Sequence, residues 1–252
     1  MREFPILFSA PMVRAILEGR KTQTRRAMKE QPFADGYYQG DISLDQNGYV
    51  ARFGVEAVGG GAYQSEEFLC PYGDPRERDR LWVREAWRVP DSLDACSGFQ
   101  IAEKCLEAGY RNPWCPIRYE ADGALNSRED WRDFGSTPGS ATPGRYRHAR
   151  FMPRWASRIT LEVTGVRVER LQDISYEDAL AEGAMDGATF CERIEPGKVN
   201  VAGETHEEIA RRLKWPQRSF RELWESINDA GSWDSNPWVW VVAFKRVEVA
   251  GG

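Results

Sequence analysis

The residues best equipped for chemistry are cations, and they fall in runs. Gly19-Arg20-Lys21-Thr22-Gln23-Thr24-Arg25-Arg26 sets one lysine among three arginines and two threonines. A second run holds Arg76, Arg78, Arg80 and Arg84, and a third holds Arg145, Arg147, Arg150, Arg154 and Arg158. The planar guanidinium fork suits two-point contact with phosphate or carboxylate better than an ammonium does. In the second run Asp74, Glu77 and Asp79 alternate with the arginines, the pattern of a solvated charged turn. The third has no acid between Arg145 and Arg158, and Pro138-Gly139-Ser140-Ala141-Thr142-Pro143-Gly144 leads into it. It reads as a flexible loop entering a basic strand, able to steer a phosphate-bearing ligand. An arginine-rich composition alone would give the same runs.

Other chemistries lack their residues. Cys70, Cys96, Cys105, Cys115 and Cys191 are an odd number at irregular spacing, and His148 and His206 are the only imidazoles. With no Cys-x-x-Cys, the reading is buried reduced thiols and no metal. Neither a Gly-x-Ser-x-Gly elbow nor a His-Glu-x-x-His helix occurs, and Gly59-Gly60-Gly61 has no Gly-Lys-Ser/Thr after it. Any catalysis is therefore expected to need neither metal nor cofactor. A net charge of −5 argues against a general polyanion binder. With 252 residues, 41% hydrophobic and 29% charged, the chain is expected to fold around a real core. Its longest apolar run, Pro237 to Phe244, is strand-sized, and Met1-Arg2-Glu3-Phe4-Pro5 opens no signal peptide. A cytoplasmic protein with no membrane partner is the expectation.

The elements that must position these residues are legible in part. Phe4 to Ser9 predicts a strand, and Ser9-Ala10-Pro11 with Val13, Ile16 and Leu17 predicts a helix that Gly19 stops. Residues 29–75 read as an insertion with a small hairpin from Gly36 to Val55. Arg80 to Val89 predicts a strand, and Phe99 to Ala108 a helix ended by Gly109 inside a second insertion, residues 90–144. Arg158 to Arg170 fits either one bulged strand or a hairpin broken at Gly165. Ser175-Tyr176-Glu177-Asp178 is a capping box for a helix that Gly183 closes. Thr205-His206-Glu207-Glu208 is a second such box, in a third insertion of residues 186–216. Phe220, Leu223, Trp224 and Ile227 make a helical stripe, and Trp238 to Val249 a last strand. Short strands among few helices predict an α+β fold, a small mixed β-barrel with peripheral helices and long insertions in one domain. Ten tryptophans exceed ordinary usage; Trp82, Trp87, Trp155, Trp238 and Trp240 fall on predicted strands as packing residues. Trp155, inside the arginine run, is the one best placed to stack a base.

Gly19, Lys21 and Arg26 reproduce a Gly-x-Lys-x-x-x-x-Arg signature, and on it the chain resembles the ASCH domain family of PUA-like barrels. The Asp79 to Glu85 strand, the Ile159 to Val168 segment, Ala181-Glu182-Gly183 and the Trp238 to Val247 strand agree in order. The chain is similar to the larger, insertion-bearing members associated with phages. The resemblance implies a PUA-like barrel with a cleft beside the first helix, suited to a modified nucleoside or an RNA or DNA base. One compact branch removes acyl groups from N4 of cytidine with a lysine, a threonine three residues later and a glutamate. Lys21 and Thr24 match that spacing, and Glu182, before Gly183, is the counterpart of the glutamate, with Glu177 and Glu85 as alternatives.

Threonine is too weakly acidic to attack an amide unaided. Like charges at Arg20, Arg25 and Arg26, together with burial, favour a neutral Lys21 able to take the Thr24 proton. Glu182 then protonates the leaving amine or orients Lys21, and Arg26 meets the oxyanion. Arg20, Thr22, Arg25, Arg26, Glu85, Arg147, Arg154 and Trp155 are the candidate substrate-binding residues. Two other readings remain beside this metal-independent amidohydrolase. In one, Lys21, Arg25 and Arg26 merely hold a phosphate in a non-catalytic RNA or modified-base binding module, and Thr22 and Thr24 are strand formers. The other is a ribonuclease.

Overall fold

A proline in its first turn and a stripe of Val13, Ala15 and Ile16 make the first helix amphipathic, with those three residues buried. Gly19 follows at φ +76°, the left-handed conformation expected of a helix stop. The chain continues as a computed structural model that describes residues 1–32, 37–45, 48–55, 64–107, 109, 112–126, 142–184 and 206–247. Gly59-Gly60-Gly61, Pro138 to Ala141, Cys191 and Thr205 lie outside the described residues.

In chain order the elements are β1 (Glu3–Leu7), α1 (Ala10–Leu17), β2 (Gln23–Ala27), β3 (Tyr37–Asp45), β4 (Gly48–Val55) and β5 (Gln64–Leu69). They continue with β6 (Arg80–Arg84), β7 (Trp87–Arg88), α2 (Gly98–Glu107), β8 (Arg118–Tyr119) and β9 (Thr160–Arg170). The last are α3 (Tyr176–Ala181), α4 (His206–Arg212), α5 (Trp215–Asn228) and β10 (Trp238–Val247). The fold is mixed α+β, and among the described residues no pairing closes the strands into a barrel.

Two compact units share the chain. The first takes Met1–Glu18, Asp79–Glu162 and the chain's end from Arg246. Here β1 runs parallel to β6, with Phe4 opposite Leu81 and Ile6 opposite Val83, and β6 pairs antiparallel with the opening residues of β9. The Arg2 backbone N–H and guanidinium both reach Asp79, which is fully buried. Trp87, Ile101, Cys105, Cys115, Ile117 and Met152 belong to the core beneath α2. The segment from Arg145 to Arg158, expected as a basic strand, instead makes 3-10 turns at Ala149–Phe151 and Arg154–Ala156. Pro153 between them has no N–H for a ladder, and buried Ala149, Met152 and Ala156 draw the turns onto the core.

The second unit takes Gly19–Arg78 and Val163–Lys245. Strand β9 proves to be one unbroken strand through Gly165, and its later residues lie beside β10, which pairs antiparallel with β2. Alternate residues of β10 divide its two faces. Val239 and Val241 pack with Phe220 and Trp224 of α5, while Trp238 meets the Phe53 ring edge-on at 4.9 Å. The expected hairpin is present as β3 and β4, and β5 adds a third antiparallel strand. The four described cysteines are free and buried, and burial pushes the Cys70 thiol up to about 12.

Gly144 marks the tightest backbone approach in the first unit. A Cβ there would collide with Asp94 Oδ1 and lie 2.9 Å from the Val89 carbonyl oxygen. Asp94 is not free to move, because both its carboxylate oxygens accept the Arg145 N–H at 2.9 Å. Gly144→Ala is expected to cost about 1–3 kcal/mol, read as a lowered urea midpoint with an unchanged slope.

Candidate functional site

Backbone stitching brings the start of β2 against the end of α3. The Thr22 N–H donates to the Ala181 carbonyl at 2.9 Å, and the Thr22 carbonyl accepts from Phe244 N–H at 2.8 Å. Lys21 and Glu182 thereby face each other as an isolated bridge. The register of α3 is set at both ends: Ser175 Oγ accepts the Asp178 N–H at 3.0 Å, and Gly183 closes the helix at φ +82°. Glu182 is therefore held at the C-cap of α3, with its carbonyl and its carboxylate both turned to Lys21.

Lys21 Nζ donates to Glu182 Oε2 and to the Glu182 carbonyl, each at 2.8 Å. The lysine side chain has no exposed surface and that of Glu182 keeps only 2%. Arg25 adds its Nη1 to Glu182 Oε1 at 3.4 Å, and its Nη2 donates to Glu169 at 2.7 Å and Asp178 at 3.0 Å. Arg167 extends the network to Asp178 at 2.8 Å and Gln23 at 3.1 Å, and also pairs with Glu169. Burial lowers the Lys21 pKa against the opposing pull of Glu182, and the charges of Arg26 and Arg25 push the same way as burial. Burial would raise Asp178, but Arg167 and Arg25 outweigh it and hold that carboxyl below its ordinary 3.8.

Of the three acids weighed from sequence, Glu182 is the one that meets Lys21. Glu177 points outward from α3 to Arg211 at 2.9 Å. Glu85 belongs to the first unit, where Arg158 grips both its oxygens at 2.8 and 2.9 Å and burial raises its pKa. Thr24 is buried, yet no hydrogen bond among the described residues joins it to Lys21 or Glu182. Strand alternation puts Thr24 and Arg26 on the face opposite Gln23 and Arg25, with Val242 and Trp240 as their cross-strand partners. On that side a cavity of about 330 Å³ is lined by Met28, Phe68, Tyr72 and Trp240 among others. Arg26 is half-buried and burial lowers its pKa, whereas Arg20 and Thr22 are exposed.

Three of the candidate ligand contacts have partners within the first unit. Arg147 is buried, and its guanidinium donates to the carbonyls of Cys96 and Leu93 at 2.8 Å each. Arg154 forms a two-point pair with Glu3 at 2.7 and 3.1 Å. Trp155 packs edge-on to Trp87 at 6.2 Å and donates its indole N–H to the Gly98 carbonyl. All three are engaged in holding the first unit together. Sequence reasoning had missed Gln23, Arg167 and Glu169 around Arg25. The one available signal was that Gln23 and Arg25 alternate in phase on a strand.

Compared with family models, with curated proteins and with solved structures, the chain gives no match. Among the described residues no helix is long and apolar enough to cross a membrane, and no three His, Cys, Asp or Glu side chains converge as a metal site.

The depressed carboxyl of Asp178 carries a sign. A group whose pKa is lower folded than unfolded stabilises fully above its unfolded value and loses that contribution as pH falls through the folded one. Unfolding free energy should therefore drop on acidification below about pH 4. Asp178→Asn is expected to flatten that drop while lowering stability at pH 7, which urea unfolding at both pH values measures.

Proposed function

We propose that the chain is an ASCH-like, PUA-like protein directed at a modified nucleobase, and that it hydrolyses an acyl amide on cytidine or a related base. The observation that carries this reading is the Lys21 ammonium, wholly buried and held by the Glu182 carboxylate at 2.8 Å. Its place immediately after α1, at the head of β2, supports the family resemblance. In the proposed step neutral Lys21 takes the Thr24 hydroxyl proton as Oγ1 adds to the acyl carbonyl. Arg26 meets the oxyanion, Glu182 relays the proton to the departing N4 amine, and water then frees the acid from Thr24. A buried lysine with a lowered pKa suits that work, because its neutral form becomes accessible closer to neutrality.

A second reading, recognition of the base without chemistry, is favoured by the orientation of Thr24 toward the opposite strand face. Incubation with N4-acetylcytidine separates the two. Turnover to cytidine is expected from the native protein, with Thr24→Ala and Lys21→Ala at least about a hundred-fold slower and Thr24→Ser retaining activity. Binding of the nucleoside without turnover would leave recognition alone, and scission of an RNA strand in a parallel incubation would select the ribonuclease reading.

A further inference from the structure

The geometry points to a groove for single-stranded nucleic acid in the first unit, with Tyr146 and Phe151 as base-stacking faces and Arg145 and Arg150 as phosphate contacts. It goes beyond the Lys21–Glu182 reading and shares no residue with it. From Tyr146 to Arg150 burial alternates: Arg147 and Ala149 point inward, and Tyr146, His148 and Arg150 outward. The anchor is Arg147. Its backbone exchanges hydrogen bonds with Trp87 at 2.9 and 3.1 Å, and its guanidinium is tied to two carbonyls beneath. That anchoring fixes the outward set.

Tyr146 is 53% exposed and Phe151 66%, unusual for large rings, and both line one cavity of about 460 Å³ with Ser97, Gly98 and His148. A guanidinium stands over each ring, Arg88 at 5.9 Å from Tyr146 and Arg150 at 5.2 Å from Phe151. Arg88 is already held by Glu120 and the Gly144 carbonyl. The side chains of Arg145 and Arg150 form no ion pair among the described residues. The adjoining acid, Asp94, has both oxygens on the Arg145 backbone N–H, which fixes its carboxylate in place. Exposed rings interleaved with arginines that hold no ion pair among the described residues suit a chain whose bases are unstacked and whose phosphates recur at fixed spacing. A duplex withholds its base faces, and a bare phosphate has no use for the rings.

The test is fluorescence anisotropy with a labelled oligouridylate of about 12 nucleotides at about 50 mM salt. Binding is expected, weakened about five- to a hundred-fold in Tyr146→Ala or Phe151→Ala. Arg145→Ala and Arg150→Ala should each reduce the salt slope by about 0.7, whereas Arg221→Ala, an exposed helix arginine, should leave affinity unchanged. Both rings are exposed, so their removal leaves no cavity, and an unaltered urea midpoint verifies the fold. Absence of oligonucleotide binding, or affinity unchanged from the native protein in both ring variants, would overturn the proposal. So would competition by uridine monophosphate as effective as that of the oligomer, which would make this a mononucleotide site, or equal affinity for duplex RNA. None of these results bears on the acetylcytidine assay, so the two readings fail separately.

Discussion

A carboxylate without water governs the second unit. Removing a charge such as that of Glu182 from solvent costs several kcal/mol even after the surroundings relax, and only close, well-bonded cations offset it. Lys21 and Arg25 supply them, and their positions dictate much else. Both must reach the same carboxylate, so β2 has to present Gln23 and Arg25 toward α3. The helix must end at Gly183, because one more turn would carry the Glu182 carbonyl away from Lys21. The strand must also be tied on its other edge, which Phe244 N–H does through Thr22. A shift of β2 by one residue would turn Arg25 to the wrong face and leave Glu182 with an uncompensated charge.

The same burial that makes the pair costly makes it chemically responsive. In low dielectric a lysine is held charged only by its partners, and here desolvation prevails over Glu182 in setting the direction of the Lys21 shift. Arg25 and Arg167 stand with Lys21 among Glu169, Asp178 and Glu182, each cation set against a carboxylate. Lys21 would nevertheless part with its proton more readily than a surface lysine. That property arises from packing α3 on β2, without a dedicated loop.

Signals that act over a few residues were legible in the sequence. Gly19, Gly109 and Gly183 each take the left-handed conformation expected of a helix stop, and Ser175 caps its helix. What escaped depended on distant partners. The run from Arg145 to Arg158 holds no acid of its own, but Glu3 lies 151 positions from Arg154, and Glu85 lies 73 from Arg158. Local charge patterning had no access to either. The choice among Glu85, Glu177 and Glu182 likewise rested on which residue sits at the last turn of α3 facing β2, a tertiary fact. Thr24 shows a different limit. A spacing of three makes neighbours on a helix but opposite faces on a strand, and β2 is a strand from Gln23 onward. Matching a motif by spacing therefore carried less information there than the alternation did.

The cations of this chain divide by what surrounds them. Those of Arg147, Arg158, Arg25 and Lys21 are committed to carbonyls or carboxylates inside a unit, where salt scarcely screens them and their removal strands a buried partner. Arg145 and Arg150 stand in solvent, where a contact to phosphate gains by releasing counterions and weakens steeply as salt rises. Identity of side chain therefore decides less than depth. A buried cation can hold a register or move a proton, and its signature is a response to pH. An exposed one can gather an anionic chain, and its signature is a response to ionic strength. One arginine-rich sequence can supply both because Arg147, turned inward between Tyr146 and His148, converts a basic run into an anchored face.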